Sequence, residues 1–187
     1  MADSANVVVP DLRPGGGGLF FRAPLGTTLP VDAATPLEPA YLDHGYCGDD
    51  GIVNSISRET QDVYAYGGDV VASPQQTYAE TYQVTLLEDS NLVVLRTVFG
   101  DDNVTDVGGL VKVRHNKAKL PRSVFVADTA TEDGGLQRQI IEIGQVDTVG
   151  DITRVHTDVI RYVLTIKSYP NSDGDTLIEY RESDDGS

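Results

Sequence analysis

Alternation of hydrophobic and polar positions is clearest between Thr77 and Leu87. The even positions carry the larger side chains Tyr78, Glu80, Tyr82, Val84 and Leu86, whereas the odd positions from 77 to 85 are small or polar. A period of two with one polar face predicts a strand of an antiparallel sheet that is half exposed to water. Residues Val159–Tyr169 alternate in the same way, with inward positions predicted at Ile160, Tyr162, Leu164 and Ile166.

Shorter apolar runs predict further strands, separated by glycine, proline and aspartate. These predicted strands are Leu19–Ala23, Ala40–Cys47, Leu110–Arg114, Ser123–Ala130, Leu136–Val146 and Thr176–Tyr180. Four prolines between residues 24 and 40 favour an extended crossing over the surface. Apolar residues are sparse from Ile52 to Ser73, which predicts a long loop over about residues 48–60 and then a hairpin that turns at Gly67-Gly68. Asp173-Gly174 predicts a two-residue hairpin turn before the last strand.

A helical spacing of apolar residues occurs at one place, over about residues 90–99. Its predicted core stripe is Leu92, Leu95, Val98 and Phe99. Asp89 or Ser90 is the predicted N-cap, and Gly100 is the predicted C-terminal stop. The residues alone therefore predict an all-β protein with one short α-helix.

Composition limits the organisation and the partners of the chain. It has 187 residues, with 29 Asp and Glu against 14 Lys and Arg, and a formal net charge of −15. This balance excludes a large basic surface that would hold nucleic acid by its phosphates. We expect a flexible N-terminal arm over residues 1–18, one domain over residues 19–182 and an acidic end over residues 183–187. No apolar run reaches the roughly 20 residues of a membrane span and no secretory signal is visible, so no membrane partner is predicted.

Three features of the sequence could carry chemistry, and each has a simpler interpretation. His44 and Cys47 are three residues apart, so in a strand their side chains would diverge, and Cys47 is predicted to pack as a small apolar residue. The adjacent acids Asp49-Asp50 and Asp101-Asp102 lie beside glycine or predicted turns, where carboxylates are usually solvated. The turn at Asn171–Asp175 lacks the first and twelfth ligands of a calcium loop. The sequence therefore predicts no catalytic residue, no cofactor, no metal site and no enzyme activity.

Several segments in a fixed order resemble the major tail tube proteins of long-tailed bacteriophages, in particular those of actinobacteria. The segments that carry this resemblance are Ala23–Pro30, Tyr41–Tyr46 with Asp50-Gly51, Tyr64–Gly68, Thr81–Leu87, Phe99–Asn103, and Tyr169-Pro170 with Asp173-Gly174. Together they extend over residues 15 to 180.

The resemblance implies an antiparallel two-sheet sandwich or barrel with one packed helix. It also implies a structural virion protein whose six subunits form a ring, with rings that stack into the tail tube and conduct DNA into the host. The implied partners are further copies of the chain, a tape-measure protein, and tail-tip and tail terminator proteins. DNA would pass through the lumen without specific binding. An acidic lumen would repel phosphates, and we expect Lys and Arg mainly at subunit contacts.

In the resembling family, segments poor in core residues become ordered only against a neighbouring subunit or ring. We therefore expect residues 1–18 and 48–60 to be mobile in a single subunit. The candidate contacts between rings are Asp49, Asp50, Arg58 and Glu59.

Two other functions are compatible with a β-rich fold. A ligand-binding or carbohydrate-binding β-sandwich would need an aromatic platform, which Tyr64, Tyr66, Tyr78 and Tyr82 could supply. A capsid decoration protein would also be β-rich and oligomeric.

Overall fold

The computed structural model describes residues 7–13 and 18–182. These residues contain thirteen β-strands and one α-helix, α1 (Leu92–Phe99), which a 3-10 turn follows at Asp101–Asn103. The strands are β1 (Pro10–Asp11), β2 (Phe20–Pro24), β3 (Leu42–Asp43), β4 (Cys47–Thr60), β5 (Val63–Tyr64), β6 (Val70–Ala72), β7 (Gln75–Leu86), β8 (Val104–Val107), β9 (Leu110–Val113), β10 (Ser123–Thr131), β11 (Leu136–Val149), β12 (Tyr162–Ser168) and β13 (Ile178–Glu182).

Nine of these strands form one antiparallel sheet. Its order is β3-β2-β10-β11-β12-β7-β4, while β1 pairs with β10 and β13 pairs with β11. The hairpins β5-β6 and β8-β9 are separate. The all-β antiparallel class with one short helix is thereby confirmed. The strand order is open, since it ends at β3 and β4 and does not close into a barrel among the described residues.

The central strand β10 is buried on both faces, so apolar residues occupy both of its alternating sets. Phe125 and Ala127 point into the main core, which includes the buried side of α1. Val124 and Val126 point into a second core, which Leu29, Leu37 and Tyr41 cover. The proline-rich segment 24–40 thus packs over the sheet face opposite the helix, as an extended crossing.

The helix is two residues shorter at its start than predicted, and its N-cap is Asn91. The Asn91 Oδ1 atom accepts a hydrogen bond from the Val93 N–H at 2.9 Å, so the predicted cap at Asp89 or Ser90 is wrong. Asp89 is engaged elsewhere, because its carboxylate accepts a hydrogen bond from the Tyr162 hydroxyl. Gly100 ends the helix as predicted, with φ of 97°, a conformation that favours glycine.

The predicted helical stripe lies toward the core. Leu95 and Val98 are buried, and Leu92 and Phe99 are half-buried against the main cluster. Val94, outside the predicted stripe, is fully buried as well.

The predicted long loop over residues 48–60 is wrong, because these residues belong to the 14-residue strand β4. β4 pairs with β7 from Cys47 opposite Leu86 to Thr60 opposite Gln75. The segment has few apolar side chains because it is exposed, and one edge of its backbone pairs with β7 from Ile52 to Thr60.

Residues 7–13 of the predicted flexible arm contact the sheet, and the mobility of the arm in a single subunit stays a prediction. Strand β1 pairs with the end of β10, and Arg13 forms an ion pair with Asp128. The remainder of the predicted arm, residues 1–6 and 14–17, and the acidic end 183–187 lie outside the described residues.

The predictions for Asp173-Gly174 and for Ala40–Cys47 differ from the structure in pairing and in length, respectively. The turn at Asp173-Gly174 forms, yet β13 pairs with β11 and not with β12, so no hairpin results. Of the predicted strand Ala40–Cys47, only Leu42–Asp43 form a strand of their own, β3, and Cys47 begins β4. The chain leaves the sheet at His44, whose N–H donates to the Phe20 carbonyl oxygen.

Candidate assembly surfaces

Strand β4 forms one end of the large sheet, and its outer edge has no strand partner among the described residues. β12 covers β7 only from Thr81 to Leu86, so the earlier part of β7 has β4 as its strand partner. Residues 56–79 therefore extend beyond the sheet as a two-stranded unit that ends in the β5-β6 hairpin. We call residues 56–79 the projecting hairpin.

The projecting hairpin exposes large apolar side chains. Ile56 is 53% exposed, Tyr64 62% and Val71 63%, and Val63 and Val70 are also exposed. A group of apolar side chains on an unpaired edge is typical of a contact surface, because a partner can bury the side chains and pair with the free backbone groups of the edge. The projecting hairpin is therefore a candidate interface.

A buried polar group fixes the base of the projecting hairpin. The Glu80 carboxylate is 3% exposed and accepts hydrogen bonds from Asn54 Nδ2 at 2.9 Å, from the Tyr78 hydroxyl at 3.0 Å and from the Thr176 hydroxyl. The direction in which the hairpin leaves the sheet is therefore set by side-chain contacts as well as by the backbone ladder.

The four predicted contact residues lie on one strand but at its two ends. Asp49 and Asp50 are at the start of β4, where Asp50 accepts a hydrogen bond from Thr85 Oγ1 at 2.8 Å. Arg58 and Glu59 are on the projecting hairpin, where the guanidinium of Arg58 lies 5.0 Å from the centre of the Tyr78 ring. Adjacent residues of a strand alternate in direction, so Arg58 and Glu59 start from opposite faces of the projecting hairpin.

His44 and Cys47 are both engaged in packing. His44 is fully buried, with Nδ1 3.0 Å from the Phe20 carbonyl oxygen and Nε2 2.9 Å from Thr97 Oγ1. In a neutral ring with the proton on Nδ1, Nδ1 donates to the Phe20 carbonyl oxygen and Nε2 can accept from the Thr97 hydroxyl, for whose single proton the Val93 carbonyl oxygen at 2.8 Å competes. Burial lowers the pKa of His44 to about 4, so this ring is neutral at physiological pH.

Cys47 lies half-buried against the main core at the start of β4. Burial, together with the nearby carboxylates of Asp43, Asp50 and Glu88, raises the pKa of its thiol to about 12. A thiol that stays protonated is a poor nucleophile and a poor metal ligand. In the described part of the chain, no three His, Cys, Asp or Glu side chains are grouped as a metal site.

A buried ion cluster that the sequence did not predict holds three segments together. Arg138 is fully buried and donates to both Asp128 oxygens, at 2.6 and 2.7 Å. It also donates to the carbonyl oxygens of Asp32 and Thr35, both at 2.9 Å. Arg13 bonds the same carboxylate from the N-terminal segment. The cluster ties the N-terminal segment and the proline-rich crossing to the sheet.

The second missed feature is a run of positive charge. Lys112, Arg114, Lys117, Lys119 and Arg122 fall within eleven residues, and no Asp or Glu occurs between Asp106 and Asp128. All five side chains are exposed. We call residues 112–122 the basic segment. The run of basic residues is visible in the sequence, but a net charge of −15 for the whole chain gives no indication of it.

The four tyrosines of the hypothetical ligand platform do not form one surface. Tyr64 and Tyr66 are exposed on the projecting hairpin, whereas Tyr82 is 1% exposed and its hydroxyl donates to Gln139 Oε1. Burial and nearby carboxylates raise the pKa of Tyr82 above its ordinary range. The platform that a carbohydrate-binding module would need is therefore split.

No known protein family matches the chain, and no curated protein does either. Among solved structures, the chain is similar to the tube-terminating cap of the anti-feeding prophage, determined by cryo-EM, with 10% sequence identity and a TM-score of 0.46. The match covers 96% of this chain and 98% of that chain. Among the described residues, no helix is long and apolar enough to cross a membrane.

Proposed function

We propose that this protein is the structural subunit of a phage tail tube. Six copies form a ring, rings stack into the tube, and DNA passes through the lumen during ejection into the host. The protein acts in the virion tail together with a tape-measure protein, tail-tip proteins and a tail terminator protein. It binds no cofactor and catalyses no reaction in this role.

The observation that carries the proposal is the 14-residue edge strand β4 with its projecting hairpin. A long exposed edge with apolar side chains favours aggregation in a monomer. Pairing with the next subunit around a ring removes that edge and joins the sheets of neighbouring subunits. The ordered series of segments that resembles the tail tube proteins supports the same assembly.

The structure changes the reason for proposing Asp49, Asp50, Arg58 and Glu59 as contact residues. Mobility of residues 48–60 no longer supports a role in stacking, because these residues are a paired strand. Arg58 and Glu59 remain candidates because they lie on the projecting hairpin. Asp49 and Asp50 are candidates only at the base of β4, where Asp50 is bonded to Thr85.

Electrostatics are consistent with a conduit for DNA. Carboxylates outnumber basic side chains by 29 to 14. A lumen lined by a subset of these carboxylates would repel phosphates and let DNA slide without adhering. A ring structure with a neutral or positive channel wall would contradict this part of the proposal.

The direct test compares two matched substitutions at exposed valines. Val71→Lys introduces a charge on the projecting hairpin at a side chain that is 63% exposed, whereas Val159→Lys does so away from it at 55% exposure. Electron microscopy and sedimentation should show rings and tubes for wild type and Val159→Lys, and loss of assembly for Val71→Lys. Normal tubes from Val71→Lys would remove the projecting hairpin from the interface. A closed oligomer without open tubes would favour a capsid decoration role.

A further inference from the structure

The basic segment is chemically distinct from the remainder of the chain. It holds five of the fourteen Lys and Arg residues, and the other nine lie in the part of the chain that carries all 29 Asp and Glu residues. A protein with a strongly negative surface and one compact positive region can bind a second copy of itself through opposite charges.

The charges of the basic segment are not neutralised within the described residues. None of its five cations belongs to an ion pair there. Arg114 donates to the Asp102 carbonyl oxygen at 2.6 Å, and Arg122 stacks 4.1 Å from the centre of the Tyr169 ring. These two contacts position the Arg114 and Arg122 side chains but leave their positive charges without a carboxylate partner.

The projecting hairpin has the opposite charge. It carries Glu59, Asp62 and Asp69 against the single Arg58, and all four side chains are exposed. Both regions also display apolar side chains beside their charges. On the projecting hairpin these include Tyr64 and Val71, and next to the basic segment the β8-β9 hairpin exposes Val107 and Leu110 at 76% and 74%.

We infer that the basic segment of one copy docks on the acidic projecting hairpin of another copy. The inference rests on the proposed function and names the contact by which its subunits associate. Two different patches meet in this contact, so a head-to-tail arrangement of copies propagates into rings or filaments. Like-charged pairings of the two regions repel, which excludes the wrong orientations.

Charge reversal tests this contact. Lys117→Glu combined with Lys119→Glu should weaken self-association at least about tenfold at low salt, because it places carboxylates against the acidic hairpin. A control with the same change in net charge, Arg154→Glu combined with Arg181→Glu, alters exposed cations outside the basic segment. It should associate as wild type does. Raising the salt concentration should weaken wild-type association, because ions screen exposed charges.

Rescue identifies the partner surface. Glu59→Lys combined with Asp62→Lys should also weaken association alone. A mixture of this variant with Lys117→Glu/Lys119→Glu should restore one contact per pair of molecules. The first variant still has the basic segment, and the second still has the acidic projecting hairpin. Failure of the mixture to associate better than either variant alone would overturn the assignment of the projecting hairpin as the partner.

The outcomes separate this inference from the proposed function. Tubes that form normally from Lys117→Glu/Lys119→Glu would overturn the inference and leave the tail tube proposal standing. Salt-sensitive association with successful rescue, but without tubes, would support the contact and contradict the tube. Binding of a short DNA duplex that is lost in the variant, with assembly unchanged, would assign the basic segment to nucleic acid and overturn the inference.

Discussion

Protonation of His44 should destabilise the fold in mildly acidic solution. The ring is fully buried between β2 and α1, where it bridges the Phe20 carbonyl oxygen and the Thr97 hydroxyl. Its pKa falls from the ordinary 6.5 to about 4, because burial disfavours the charged form. The unfolded chain therefore binds more protons than the folded protein between these pH values, and the free energy of unfolding decreases as the pH falls.

The size of the effect follows from the two pKa values. At pH 7 the unfolded imidazole is mostly neutral, so His44 contributes little to the pH dependence. At pH 5 it is almost fully protonated in the unfolded chain, whereas about a tenth is protonated in the folded protein. The difference lowers the free energy of unfolding by about 2 kcal/mol between pH 7 and pH 5. The loss levels off below the folded pKa of about 4.

Urea unfolding followed by circular dichroism or tyrosine fluorescence measures this effect, since the sequence contains no tryptophan. Carboxylates also titrate near pH 5, so wild type is compared with His44→Gln, whose side chain is polar but does not titrate. The stability advantage of wild type over His44→Gln should shrink by about 2 kcal/mol from pH 7 to pH 5. The exposed His156→Gln is the control and should follow wild type. An advantage that is equal at both pH values would refute the reasoning.

Three further substitutions test other parts of the fold by the same unfolding assay. Arg138→Met should lower the free energy of unfolding by about 3–5 kcal/mol, because it leaves the buried Asp128 carboxylate with too few partners. Arg13→Met should lower it less, because Arg138 still donates to both Asp128 oxygens. Equal costs would contradict the shared cluster. Asn91→Ala should cost about 1 kcal/mol by removing the helix cap, and no cost would place the cap elsewhere. Cys47→Ser should lower the free energy of unfolding by about 1 kcal/mol. The native thiol should react slowly with a thiol reagent at pH 8, because its pKa is raised to about 12. Rapid labelling would contradict its burial.

Local sequence patterns predict the strands that bury one face against the core, and the glycine that ends the helix. The alternation of Tyr82, Val84 and Leu86 gave the inward face of β7, because one side of that strand packs on the core. The same reasoning holds for β12, in which Tyr162, Leu164, Ile166 and Ser168 are buried. Gly100 was recognisable because few residues other than glycine adopt its positive φ.

Features that depend on distant partners were not predictable in this way. The sequence pattern does not predict β4, because its mostly exposed side chains show no apolar alternation, although its partner β7 follows after the short β5-β6 hairpin. The ion cluster joins Arg13 and Asp128, 115 residues apart, and nothing in either local sequence marks a buried charge. The two cores on opposite faces of β10 likewise arise from segments that meet only in the folded chain.

The candidate surfaces were predictable to different extents. The contact prediction for Arg58 and Glu59 rests on an expected mobile loop. In the structure both residues lie on the projecting hairpin, because β4 and β7 extend beyond the part of β7 that β12 covers. The basic segment was visible as a run without acids from Lys112 to Arg122. The overall charge concealed it, since a net value says nothing about how the charges are distributed.

Electron microscopy of the purified protein over a range of micromolar concentrations tests the central claim most directly. The proposed function predicts six-fold rings and open-ended tubes, in which the projecting hairpin contacts a neighbouring subunit and the outer edge of β4 is paired. A protein that stays strictly monomeric over that range, and forms no rings with tail-tip components or a tape-measure protein, would contradict it.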